Sequence, residues 1–149
     1  MSNFSPLTPV AFACYFVMSA MLAPMGILAP EMARHFDHSL TDVTRTFSAL
    51  TIGNLVGAAC ATVVLTIWNL RSVLLSTYAT LGVSLLLLGS MNRLEYVGAI
   101  LGLVGFGCGV GLAAAAVLIT SRFSASKMAS MLRLTDACFS IAGFLVSWT

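Results

Sequence analysis

The apolar residues of this chain fall into long unbroken runs, and its charges fall between them. The runs extend from about Pro9 to Pro30, Phe47 to Trp68, Ser72 to Ser90 and Tyr96 to Thr120. Another opens near Thr135 and is still apolar at Thr149. Crossing a bilayer as a helix takes about 20 mostly apolar residues, so each of the first four is long enough. Glu31, Arg34, His35, Asp37, His38, Asp42 and Arg45 stand between the first two runs. Arg71 separates the next pair, then Arg93 with Glu95, and Arg122, Lys127 and Arg133 precede the last. No Lys or Arg is expected inside a span. Strands of a membrane barrel would alternate apolar with polar residues, and these runs do not. The expected fold class is an all-α membrane protein, a polytopic transmembrane helix bundle forming one region over residues 1–149.

Composition excludes the soluble alternative. Charged residues make up 8% of the chain, against about 25% in soluble domains. With 59% hydrophobic residues and a mean hydropathy of +1.00, so few charges cannot cover a water-facing surface. They can line the loops of a bundle whose outer face meets lipid. The basic residues are scattered singly and the net charge is +2, which offers nothing to nucleic acid. Cys14, Cys60, Cys108 and Cys138 lie in apolar stretches without a C-x-x-C spacing, so they read as small buried hydrophobes and not as a disulfide framework. No basic residue precedes Cys14, so a signal peptide is not indicated. Ala11-Phe12-Ala13-Cys14 has a faint look of a lipoprotein cleavage site.

Local signals set expected boundaries. Pro30 is placed to close the first helix, and Ser39-Leu40-Thr41-Asp42 offers capping side chains for the second. The apolar tail from Ala137 to Thr149 makes about 20 Å of helix, short of the hydrocarbon core of about 30 Å. The chain is therefore expected to be truncated inside its fifth helix, with a re-entrant or surface-lying tail as the alternative. An N-terminus inside puts Arg71, Arg122, Lys127 and Arg133 on the cytoplasmic side. Arg34, Arg45 and Arg93 then lie outside, a slight positive-inside bias.

Two helices carry small residues at four-residue spacing. Gly53, Gly57 and Ala61 form one series; Gly105, Gly109, Ala113 and Gly107, Gly111, Ala115 form two more. Such faces let helix backbones approach closely, and the glycines also suit an element that slides. Gly105-Phe106-Gly107-Cys108-Gly109 is not a nucleotide loop, because it lies in an apolar span with no preceding strand.

The polar residues within spans are the candidate solute or ion path. Asp136 is expected at the start of the fifth helix, sharing with Ser140, Gly143 and Ser147 one polar face directed into the bundle. Intramembrane carboxylates are costly and mark ion or substrate paths; the alternative role is a helix cap favoured by the dipole. Asn54, with Thr51, Ala58 and Thr62, lines a second weakly polar face, and Tyr15 with Ser19 does so in the first helix. Interhelical hydrogen bonds would also explain these. Met18, Met21 and Met25 read as core packing. Glu31, His35 and His38 have a ligand-like spacing, but Pro30 places them in a charged loop, so no metal is expected. No nucleophile–base pair is recognisable, so neither an enzyme nor a cofactor is expected.

The tract Leu28-Ala29-Pro30-Glu31-Met32-Ala33-Arg34-His35-Phe36, followed by a short loop and a glycine-rich second helix, resembles the Major Facilitator Superfamily. Leu134-Thr135-Asp136-Ala137-Cys138-Phe139-Ser140-Ile141-Ala142-Gly143 resembles the start of the fifth helix in its TsgA-type branch, related to sugar permeases such as the fucose permease. The resemblance implies twelve helices in two halves, of which this chain would hold the N-terminal part. It also implies a bacterial inner membrane, a cytoplasmic N-terminus, and a small-molecule substrate bound near mid-membrane between the halves. First and fourth helices would line the cavity, which makes Tyr15 and Ser19 candidates there. There are departures. The loop Thr66-Ile67-Trp68-Asn69-Leu70-Arg71 keeps only Arg71 of the usual cytoplasmic signature. The fourth helix lacks the arginine of proton-coupled members, and the fifth shows no Gly-Pro of drug antiporters before Thr149.

The expected function is a secondary transporter moving a small solute by alternating access, coupled to a proton or other cation if Asp136 binds one. Two alternatives are a small four-helix homodimeric exporter and a non-transporting scaffold or subunit whose glycine faces dock a partner. The exporter would need a carboxylate within the first helix, and Glu31 comes after Pro30.

Overall fold

A computed structural model describes residues 8–23, 25–122 and 125–148. Among these the secondary structure is helical throughout: α1 (Thr8–Leu22), α2 (Met25–Phe36), α3 (Leu40–Ile67), α4 (Leu70–Leu88), α5 (Leu94–Arg122) and α6 (Ala125–Trp148). Four stretches are long and apolar enough to cross a membrane: Leu40–Ile67, Leu70–Leu88, Leu94–Ser121 and Lys127–Leu145.

The first apolar run is not one helix. It divides into α1 of 15 residues and α2 of 12. The sequence reason is Pro24, which lacks an N–H and disfavours helical backbone at Ala23. Ala23 closes α1 by donating its N–H to Ser19 O at 2.9 Å. Pro30, by contrast, does not end a helix. It is the sixth of the twelve residues of α2, an interior position where a proline forfeits one bond and crowds the preceding turn, and Glu31-Met32-Ala33-Arg34 are good helix formers that carry α2 on. The stop comes at Asp37, whose φ of 54° is left-handed, while His38 N–H bonds back to Ala33 O at 3.0 Å. That pairing is a Schellman close. Glu31 and His35 therefore stand on a helix and not in a loop.

Ser39 caps α3 as its position suggested. Its Oγ accepts from Asp42 N–H at 3.2 Å and donates to the Asp42 carboxylate at 2.6 Å. α3 consequently begins seven residues before Phe47.

The last helix is also longer than its apolar content indicated. α6 starts at Ala125 and has 24 residues, about 36 Å at 1.5 Å each. Its first turns include Lys127, Met128, Ala129, Met131, Leu132 and Arg133, which favour helix strongly but escape a hydropathy criterion. Lys127 and Arg133 thus lie inside a candidate span, against the expectation that spans hold no basic residue.

α5 is the hub. α3 packs along it most extensively, α4 packs on its other side, and α1 contacts both α5 and α6. α3 and α4 scarcely touch. The largest core cluster joins Met18, Leu50, Leu81, Val97, Leu101, Val104 and Cys108. Outward faces carry Leu55, Ile67 and Leu86, each more than 70% exposed. Such surface is a liability in water and the natural face toward acyl chains.

The glycines explain how α3 and α5 come together. A Cβ on Gly53 would overlap Gly102 O, and one on Gly57 would overlap Phe106 O. In return, a Cβ on Gly105 would overlap Leu50 O, and one on Gly109 would overlap Asn54 O. Backbone meets backbone at all four positions. Gly107 and Gly111 turn elsewhere: a Cβ on Gly107 would stand 3.0 Å from Leu81 Cδ2, and one on Gly111 2.5 Å from Met18 Cε. Within this chain, then, the first glycine series is occupied by α3–α5 packing and is not a free docking face.

Candidate functional site

The polar residues singled out in the spans do not converge on one point; they divide between two helix contacts and an exposed edge of α6. Ser19 and Tyr15 belong to the contact of α1 with its neighbours. Ser19 is 1% exposed and its hydroxyl donates to Phe139 O on α6. A Cβ on Gly143 would stand 3.2 Å from Ser19 Oγ and 3.6 Å from Ala23 Cβ, so the missing side chain of Gly143 lets the end of α1 lie against α6. Tyr15 packs with Met131 and Leu132 of α6 over Leu118 and Ile119 of α5.

Asp136 is the twelfth residue of α6. The capping role is thereby removed, because a cap acts only within the first turn. The face it shares is only partly covered by the described helices, Gly143 lying against α1 and Asp136 and Ser140 not. Asp136 and Ser140 are exposed, while Thr135 and Ala142 are fully buried. Helical residues advance about 100° each, so the buried edge is centred on Thr135, Phe139 and Ala142, one residue out of step with Asp136. Ser140 Oγ donates to Asp136 O at 3.0 Å and Thr135 Oγ1 to Leu132 O at 2.7 Å, so both hydroxyls are satisfied within α6. No described residue forms an ion pair with the Asp136 carboxylate. Of this series, the side chain of Ser147 lies outside the described residues.

Asn54 stands on α3 where Gly109 passes, and its Oδ1 is buried without a hydrogen-bond partner. Its face-mates Thr51, Ala58 and Thr62 are exposed, with Thr62 bonded to Ala59 O at 2.7 Å. Met18 is fully buried in the core, whereas the side chains of Met21, Met25 and Cys14 lie outside the described residues. Cys60, Cys108 and Cys138 are free thiols.

Two buried hydroxyls escaped the sequence reading. Ser84, wholly buried, has no partner for its Oγ, and Thr77 is 5% exposed. Ser84 follows Val73, Thr77 and Leu81 at helical spacing on the buried edge of α4. That periodicity could have revealed it, but a lone serine in an apolar run draws little notice.

The opposite end of the bundle is charged. A cleft of about 720 Å³ is lined by Phe36, His38, Asp42, Arg45, Arg93 and Glu95 among others. Glu31 pairs with Arg34 at 3.2 Å, and His38 Nδ1 lies 4.0 Å from Asp42 Oδ2. Among the described residues no group of three His, Cys, Asp or Glu side chains could hold a metal ion.

Known proteins resemble the chain over nearly all of it. A protein TsgA homolog of Buchnera aphidicola subsp. Baizongia pistaciae (strain Bp) is 27% identical over 144 residues, covering 97% of this chain and 37% of the relative. The homolog of Buchnera aphidicola subsp. Acyrthosiphon pisum (strain Tuc7) is 29% identical over 147 residues, with 93% and 36% covered. Protein TsgA of Escherichia coli O17:K52:H18 (strain UMN026 / ExPEC) is 27% identical over 149 residues, with 97% and 37% covered. The chain spans a little over a third of the length of these curated relatives. No family model and no solved structure matches it. In sequence the chain is thus TsgA-like, and its all-helical architecture is consistent with the N-terminal part of a Major Facilitator bundle.

Proposed function

We propose that this chain forms part of a secondary transporter in a bacterial inner membrane, with its N-terminus in the cytoplasm, that moves a small solute by alternating access. Similarity to TsgA proteins supports the transporter class. The observation that carries the reading further is the place of Asp136. It lies midway along a candidate span, on an edge of α6 that no described helix covers. A carboxylate at that depth is unfavourable unless it faces water, a cation or a partner. The uncovered edge of α6, with Ser140 one turn on, therefore faces the solute path. Asp136 takes up a proton or other cation there and couples it to solute movement. Ser19 and Tyr15 hold α1 against α6 behind this edge, and Asn54 Oδ1 offers an acceptor within the α3–α5 contact.

The test is uptake by proteoliposomes carrying the full-length protein, with L-fucose and other hexoses as first probes. The expected result is solute uptake that depends on external pH in the wild type and loses that dependence in Asp136→Asn. Absence of flux for every probe would remove the transporter reading. Flux in Asp136→Asn with an unchanged pH profile would remove the coupling role alone.

A further inference from the structure

Because α3 and α4 each pack on α5 but scarcely on each other, a groove remains between them. It encloses about 430 Å³, with Val64, Ile67 and Trp68 on one wall and Val73, Ser76 and Thr80 on the other. Its floor is α5 from Leu103 to Val110. Gly107 lies in that floor and adds no side chain, which deepens it. The groove runs about 10 Å along α5 at 1.5 Å per residue, inside three candidate spans. One end opens where α3 stops and α4 starts, at Trp68 and Asn69.

We propose that this groove holds one acyl chain of an anionic phospholipid, with the phosphate at the start of α4. The proposal rests on membrane placement and not on transport. Water gains nothing from a mainly apolar wall at that depth, and a hydrocarbon chain fills it without leaving polar groups unpaired. The Ser76 hydroxyl on the α4 wall makes no demand on the chain, since its Oγ already donates to Val73 O at 3.0 Å. Charge complementarity selects the head group. Asn69 makes no side-chain bond to the first-turn N–H groups of α4, Arg71 stands exposed in that turn, and no acidic residue occupies it. Helix N-terminus and guanidinium thus both favour a negative phosphate. Trp68, 56% exposed at the mouth, is the residue type that seats at the membrane–water interface.

The experiment uses Trp68 as reporter, in full-length protein with Trp148 and any other tryptophan replaced by phenylalanine. The protein is reconstituted in vesicles of phosphatidylcholine doped with either phosphatidylglycerol or phosphatidylcholine brominated in the upper acyl chain. One basic residue near the surface enriches an anionic lipid about fivefold. Trp68 quenching is therefore expected to reach half-maximum at about a fivefold lower fraction of brominated phosphatidylglycerol than of brominated phosphatidylcholine. Arg71→Gln, a surface change, should erase that preference, and Ser76→Phe, which fills the groove, should lower quenching by both lipids. Equal quenching by the two lipids in the wild type would overturn the head-group assignment. Absence of quenching by either would show the groove covered by protein and overturn the proposal entirely.

Discussion

Replacing Gly105 with alanine tests the reading of the α3–α5 contact most sharply. The added methyl would overlap Leu50 O, and would stand 2.8 Å from Leu50 C and 3.0 Å from Asn54 N. All three are backbone atoms of a helix and cannot rotate away. Ordinary contact begins at 3.4 Å, so relieving the carbonyl carbon alone parts the helices by at least 0.6 Å, the interval from 2.8 to 3.4 Å. A gap of that order forfeits about a quarter to a half of each dispersion contact along the seam. Overpacking a rigid core costs about 1–3 kcal/mol, and this site belongs at the upper end because neither side can yield. The helix preference of alanine over glycine, about 1 kcal/mol, opposes it without cancelling it. Gly82 is the control: it lies on α4 with nothing within 4 Å of a new Cβ, so Gly82→Ala should stay within about 1 kcal/mol of wild type. Unfolding in detergent, followed by loss of helix signal with increasing denaturant, compares the two. Equal stability of Gly105→Ala and Gly82→Ala would refute the claim that backbone contact holds α3 to α5.

Three further outcomes are expected. Ser19→Ala removes the bond from α1 to Phe139 O and should lower stability by about 0.6 kcal/mol, the usual interhelical value in membranes, with faster labelling of thiols placed between α1 and α6 as the local readout. Ser39→Ala removes the cap of α3 and should cost about 1 kcal/mol, seen as faster hydrogen exchange over the first turn from Leu40 and slower or unchanged exchange would contradict it. Asp37→Gly relieves a side chain at φ 54° and should raise the melting temperature by an amount equivalent to about 1 kcal/mol, whereas Asp37→Val should lower it.

Much of the architecture was legible because lipid imposes a coarse rule. A span must be long and apolar, and the second, third and fourth runs matched α3, α4 and α5 to within a few residues except at the start of α3. The start was misplaced because hydropathy reports what meets lipid, while helix extent depends on caps and propensity. Ser39 and the polar turn after it belong to the helix without being apolar. The same cause moved the start of α6 from Thr135 to Ala125. Pro30 misled for a different reason: an interior proline usually kinks or ends a helix, but α2 runs through it to Phe36, the division of the first run having fallen earlier, between Leu22 and Met25, where the apolar residues hid it.

The candidate site was less legible than the spans. Asp136 stood out by residue type, but its depth and direction followed from where α6 begins and which edge α1 covers. A shift of one residue rotates a helical position by about 100°, enough to exchange Thr135 for Asp136 at the buried edge. Sequence by itself determined that this is a helical membrane protein with glycine faces and a carboxylate among apolar residues, because period, charge and length are properties of the chain. Tertiary structure alone decided that Gly53 and Gly57 meet α5 while Gly107 opens a groove, that Ser19 ties α1 to α6, and that no described helix covers Asp136. Those facts depend on which helices are neighbours, and neighbours are set by packing between residues far apart in the chain.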